Sequence, residues 1–141
     1  MIAIIIPNRD IKLVRHFIIH CSDSDRPEHD NIKTIRDWHK ERGFLDVGYH
    51  FFVTKDGMIE QGRDLRQVGA HCAGYNTYSI GICLSGKKDF KERQFSSCAD
   101  IIKKVRSLYP STRSRPIRPH NYFNEGKTCP NFDVESIQKY L

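Results

Sequence analysis

The sequence predicts an α/β or α+β fold: one domain with a central mixed β-sheet flanked by helices. Three observations predict it. Short, densely apolar strands, HFIIHC at 16–21 and SIGICLS at 79–85, alternate with segments of helical periodicity. A hairpin signal, GYHFFVT then KDG then MIEQG, adds antiparallel pairing. The 141 residues suit a single unit, since a chain of this size buries about two-thirds of its unfolded surface. Residues 1–141 are therefore read as one catalytic-sized domain without repeat or linker.

Taken in order, IAIII near the start is a short strand or an apolar plug. HFIIHC is a buried strand closed by the loop SDSDRPEHD. NIKTIRDWHKERG, 31–43, predicts a helix capped by Asp30 or Asn31. Its stripe is Ile32, Ile35 and Trp38 or His39, and Gly43 ends it. The hairpin follows, turning at Asp56-Gly57, and then RDLRQVGAHCAGYN reads as loop. SIGICLS is apolar enough for a central strand covered on both faces. SCADIIKKVRSLYP, 97–110, predicts a helix with Cys98, Ile101, Ile102, Val105 and Leu108 toward the core, stopped by Pro110. RPIRPH is a short strand, and Asp133 caps a last helix whose apolar side is Val134, Ile137 and Leu141.

Composition narrows the function classes. Net charge is +6, which favours anionic partners. No helix-turn-helix, zinc-finger or aromatic RNA-binding motif accompanies it, so direct nucleic-acid binding is not expected. The looser cluster Arg106, Arg113, Arg115 and Arg118 reads as a solvated face that an anionic wall polymer would also feel. Five scattered cysteines, an odd number, read as reduced thiols and small buried hydrophobes. The opening lacks the pattern of a secretion signal, and no stretch is apolar enough to span a bilayer. Synthesis in the cytoplasm is the expectation, with no membrane insertion and a monomeric state.

The segment PHNYFNEGKTCPNFD, 119–133, places His120 and Cys129 in a polar loop, with Lys127 two residues before the cysteine. Two metal ligands are too few. His20, at the end of a strand, is the best third candidate, because a strand end holds a side chain rigidly toward a cleft. Cys21 should point the other way by the strand's period of two. Two imidazoles and a thiolate form a three-ligand set for catalytic zinc, with the fourth position left to water. Composition alone does not select His20 among seven histidines. A closed structural site with Cys21 or Cys72 as fourth ligand is the alternative.

HFIIHCS, the run IRDWHKERGFLDVGYHFFVTKDGMIEQGRDLRQVGAHCAGYNTYSIGICLSG, and PHNYFNEGKTCPNFD together resemble the type-2 N-acetylmuramoyl-L-alanine amidases. The resemblance is to the short phage endolysins of that family, also called phage lysozymes, and the peptidoglycan recognition proteins share the fold. It runs from about residue 16 to 141. It implies a zinc hydrolase that cuts the amide between the lactyl group of N-acetylmuramic acid and L-alanine in peptidoglycan. By motif, it implies His20, His120 and Cys129 as ligands of one Zn2+. It implies Tyr49 (in DVGYHF) and Lys127 (in KTCP) as catalytic helpers, and His71 (in VGAHCAGYN) on the substrate groove. The His120–Cys129 segment is one residue longer than in the similar endolysins, an insertion that Gly126 can absorb.

Each residue also has a plainer reading: Tyr49 as a rim aromatic, Lys127 as a surface charge, His71 as a loop histidine bonded to backbone, and His50 as packed inside. His16, His29 and His39 carry no expected function. As an endolysin the protein would wait in the host cytoplasm until a partner permeabilises the membrane. With no wall-binding domain in the 141 residues, the thin wall of a Gram-negative host fits better. The rival reading is a non-catalytic muropeptide binder, from which Cys129 argues away. Inhibition of a phage RNA polymerase is a further role of such amidases that no motif here marks.

Overall fold

The computed structural model describes residues 5–141. The apolar run near the start lies mostly outside the described residues, and its end, Ile5 and Ile6, belongs to no strand or helix. Five strands form one sheet in the order β3-β2-β4-β1-β5. They are β1 (His16–Cys21), β2 (Phe51–Val53), β3 (Ile59–Gln61), β4 (Ser79–Leu84) and β5 (Ile117–Pro119). Strands β2, β4, β1 and β5 run parallel, and β3 pairs antiparallel with β2 through the hairpin. The hairpin turn needs a left-handed residue, supplied by Gly57 at φ +82°. Every residue of β4 is buried, as its apolar content predicts for a central strand.

Three helices cover the sheet: α1 (Ile32–Glu41), α2 (Glu92–Leu108) and the short α3 (Glu135–Gln138). Asn31 caps α1 by accepting from the Thr34 N–H at 2.8 Å, and Gly43 leaves it at φ +93°. The larger core lies under α2 and α3, where Cys98, Ile102, Val105 and Ile137 meet Phe17, Ile19, Ile80 and Ile82. A smaller core joins Ile32 and Ile35 of α1 to Val47, Phe52 and Cys83, with Tyr49 at its border. The second face is thus only partly covered by a helix, and the space beside α1 is where chemistry can be placed.

Two boundaries differ from the sequence reading. Helix α2 begins at Glu92, five residues before 97. The early turn is held by Gln94, whose Oε1 accepts from the Lys91 N–H at 2.8 Å and whose Nε2 donates to Ser85 O at 2.8 Å. Phe95 extends the apolar stripe. Leu108, expected in the core, is 58% exposed, and Leu141 is also exposed. The chain leaves α2 at Tyr109, whose ring packs on the core end that Leu108 would have covered. At the last helix Asp133 accepts from the Glu135 N–H at 3.0 Å, while the helix itself starts at Glu135, one residue later than a cap at Asp133 predicts.

The contrast between two α2 positions is measurable. Ile102→Ala should cost about 2–5 kcal/mol in urea unfolding, as for other large-to-small core changes. Leu108→Ala should stay within about 0.5 kcal/mol.

Candidate metal centre

Strand register builds the site. Ile19 of β1 stands opposite Pro119 of β5, so the next residues, His20 and His120, emerge abreast. Their ring centroids are 4.4 Å apart. After His120 the chain makes a short 3-10 turn and a loop, and returns so that the Asn121 N–H donates to Cys129 O at 3.1 Å. Cys129 is thereby carried back beside the strand ends. One ligand atom from each of His20, His120 and Cys129 lies within 4.8 Å of the others. Between His120 and Cys129 the loop turns on Asn124. Its carbonyl accepts from the Lys127 N–H at 3.0 Å and its Oδ1 from the Gly126 N–H at 3.2 Å.

These three residues line a cleft of about 830 Å³ that also holds Tyr49, His39, His71, Arg42 and Lys127. Tyr49 is half-buried, with its ring centroid 5.0 Å from that of His20. Lys127 is exposed at the mouth. His71 is half-buried and its Nδ1 lies 2.8 Å from His20 Nε2. The backbone N–H of Cys21 donates to Cys129 Sγ at 3.2 Å. Cys21 is outside the convergent triad, yet it does not turn away as the strand period predicts: at the end of β1 its buried thiol borders the same cleft and interacts with that of Cys129.

Burial sets the electrostatics. It holds His20 and His71 well below the usual histidine pKa, with neighbouring His120 and His39, or His20 and His50, adding to the effect. His120 is lowered by burial and then by the Lys127 charge. His20, His71 and His120 are thus lone-pair donors at neutral pH, which is the form a metal needs. The Cys21 thiol and burial push the Cys129 thiol up, so a thiolate there calls for a cation. Tyr49 is raised well above the usual phenol by burial, then by the thiols of Cys83, Cys129 and Cys21, and so remains an O–H donor. Two neutral imidazoles and a sulfur that needs a cation are a donor set suited to zinc.

Comparison with known proteins places this arrangement. The family model described as N-acetylmuramoyl-L-alanine amidase matches residues 9–132. The chain belongs to that amidase family. The "Endolysin" of Enterobacteria phage K11 is 39% identical over 127 residues, covering 84% of this chain and 82% of that protein. The "Endolysin" of Escherichia phage T7 is 38% identical over 125 residues, covering 83% and 80%. The chain is a type-2 amidase similar to the phage endolysins, and its activity is that of an N-acetylmuramoyl-L-alanine amidase. A solved endolysin amidase, LysCS from Clostridium intestinale, superposes with a TM-score of 0.80 at 25% identity, over 98% of this chain and 91% of that one. Apis mellifera PGRP-SA has the same fold, with a TM-score of 0.81 at 24% identity over 96% and 87% of the two chains.

Sequence reading missed the residues that seat the amidase cleft. Buried Arg9 donates to Leu65 O at 3.0 Å and to the carbonyls of Asn76, Thr77 and Ser79 at 2.6–3.1 Å. Buried Arg63 donates to Val47 O and Val68 O, both at 2.8 Å. Asn76 Oδ1 accepts the N–H groups of His71 and Cys72 at 2.8 and 2.9 Å, fixing the loop that carries His71. His39 and His50, read as non-functional and packed, are buried acceptors: His39 Nδ1 takes the Gly48 N–H at 2.8 Å, and His50 Nδ1 the Gly81 N–H at 3.1 Å. The one sequence signal was the placement of glycines where these contacts form.

Burial, then nearby arginines, lower His39 to about 4, and burial and Arg9 lower His50 to about 3. The unfolded chain binds protons on these rings below its ordinary value of about 6.5, while the folded chain refuses them. The stability they contribute is complete above that value and is lost as pH falls through the window down to about 4 and about 3. At pH 5 each ring should cost up to about 2 kcal/mol relative to pH 7. His39→Gln, which keeps an acceptor for Gly48, should narrow the gap between urea midpoints measured at the two pH values.

Proposed function

We propose that this amidase is zinc-dependent and hydrolyses the lactyl–L-alanine amide of peptidoglycan, as an endolysin that opens the host wall from within. The single observation that carries the reading is the convergence of His20, His120 and Cys129 within 4.8 Å in a cleft that also holds Tyr49 and Lys127. His20 and His120 would hold the zinc through ring nitrogens and Cys129 through sulfur. When bound, the ion supplies Lewis acidity that polarises the carbonyl and lowers the pKa of water.

The rest is done by the chain. A ligand set with one thiolate leaves a single formal positive charge, so further positive charge is needed where the amide oxygen becomes negative. Lys127 at the cleft mouth offers a mobile ammonium for that oxygen. Tyr49, kept protonated by its surroundings, can donate its hydroxyl hydrogen to the same oxygen or pass a proton toward the leaving amine. Arg42 and Lys127 line the cleft against the single carboxylate of Asp23, a cationic balance that suits an anionic wall peptide. Among the described residues no helix is long and apolar enough to cross a membrane.

Purified sacculi treated with the protein should release new N-terminal alanine, and a chelator should stop it. A wall-binding protein that releases none would be a recognition protein on this fold. Lys127→Ala should keep its zinc yet lose about 100-fold or more in turnover, on the scale of a lost oxyanion donor. Cys129→Ala should lose both zinc and activity. Near-normal rates in Lys127→Ala would remove that residue from the mechanism.

A further inference from the structure

His71 lies deep against the sheet, and both of its ring nitrogens are engaged within the protein. Nδ1 meets His20 Nε2 at 2.8 Å and Nε2 meets Ser79 Oγ at 3.3 Å. The ring rests in a slot made by missing side chains. A Cβ on Gly81 would stand 2.6 Å from the His71 ring, and one on Gly69 would stand 2.7 Å from it. Neither distance is tolerated, so these two glycines exist as flooring for the imidazole.

Proton positions along this chain of contacts follow by elimination. Ser79 Oγ is 2.8 Å from the Tyr75 carbonyl oxygen. A carbonyl has no hydrogen to give, so Ser79 must donate there. Its oxygen is then left to accept, and the partner that donates to it is His71 Nε2–H. A neutral imidazole has one N–H, so His71 Nδ1 carries a bare lone pair. The hydrogen in the 2.8 Å contact therefore belongs to His20, on Nε2. That leaves His20 Nδ1 as the atom with a free lone pair. The direction of donation runs from His20 to His71 to Ser79 to the Tyr75 carbonyl, and the polarity is set by a backbone group that cannot reverse it.

We propose that His71, backed by Ser79, is the positioning residue that fixes the His20 tautomer, so that His20 presents Nδ1 and not Nε2 to the metal. This rests on the zinc reading given above, and it moves His71 from the substrate groove to a supporting role behind the ligand. Such partners orient a metal-bound imidazole and raise its basicity, and their loss typically weakens metal affinity about 10–100-fold. The same geometry explains why the loop is clamped by Asn76, whose Oδ1 takes the His71 N–H at 2.8 Å.

The test needs no turnover. In zinc-loaded protein labelled with 15N-histidine, long-range 1H–15N spectra should place a proton on Nε2 of His20 and on Nε2 of His71. In the cadmium-113 form, the metal coupling should appear on His20 Nδ1. Zinc affinity by chelator competition separates the acceptor from the filler. His71→Asn can place an amide oxygen near the Nδ1 position and should stay within a few-fold of the parent. His71→Phe fills the slot without an acceptor and should lose about 10–100-fold. A proton found on His20 Nδ1, or a Phe variant that holds zinc as well as the parent while the Asn variant does not, would overturn the proposal. If His71→Phe does not fold, the spectra of the unmutated protein still decide. Parent protein that binds no zinc would instead remove the metal reading itself, and that is seen before any variant is made.

Discussion

The pairing of β1 between β4 and β5 is the constraint on which the site depends. His20 and His120 are 100 positions apart in the chain. They become neighbours because Ile19 and Pro119 are held in register by parallel hydrogen bonds. A slip of one residue along that ladder would turn His20 to the opposite face and take it out of reach of His120. The apolar residues of β1 resist the slip, since Phe17 and Ile19 are locked into the core under α2. The packing on one face of the sheet thus sets the chemistry on the other.

The second organising influence is the treatment of polar groups away from water. The cleft is built from imidazoles, thiols and a phenol that burial keeps uncharged. His20 and His71 are matched to one another, and Cys129 and His39 to backbone N–H donors. Buried arginines Arg9 and Arg63 play a related part, since their several N–H groups satisfy carbonyls of loops that have no ladder to join. Arg9 keeps its charge cost tolerable by spreading it over four carbonyl partners. This stitches an irregular loop, 62–78, into a fixed wall of the cleft.

Much of this was legible in the sequence. The strands, the hairpin and α1 announce themselves through period and turn residues, and the His120–Cys129 segment through two ligand types in a polar loop. His20 was legible as a strand-end histidine, though only the motif resemblance singled it out. The start of α2 was hidden because its signal is the Lys91 N–H donating to the Gln94 side chain, in a first turn where Phe95 alone carries the apolar stripe. Leu108 misled because periodicity continues past the point where the backbone turns away, and Tyr109 takes the position. Arg9, Asn76 and Ser79 were hidden for a deeper reason: their partners are carbonyls and N–H groups, which every residue possesses and no sequence distinguishes.

Arg9 has a consequence for how the protein can be handled. It lies before the first strand, in a stretch that looks dispensable, yet it grips the carbonyls on either side of the turn leading into β4. Shortening the amino terminus to the start of β1 would spare every strand and helix of the sheet fold. It would still unfasten the wall that seats His71, and it would take fully buried Val14 out of the larger core. The amino terminus is therefore a poor place to trim or to splice, even though no reacting group resides there.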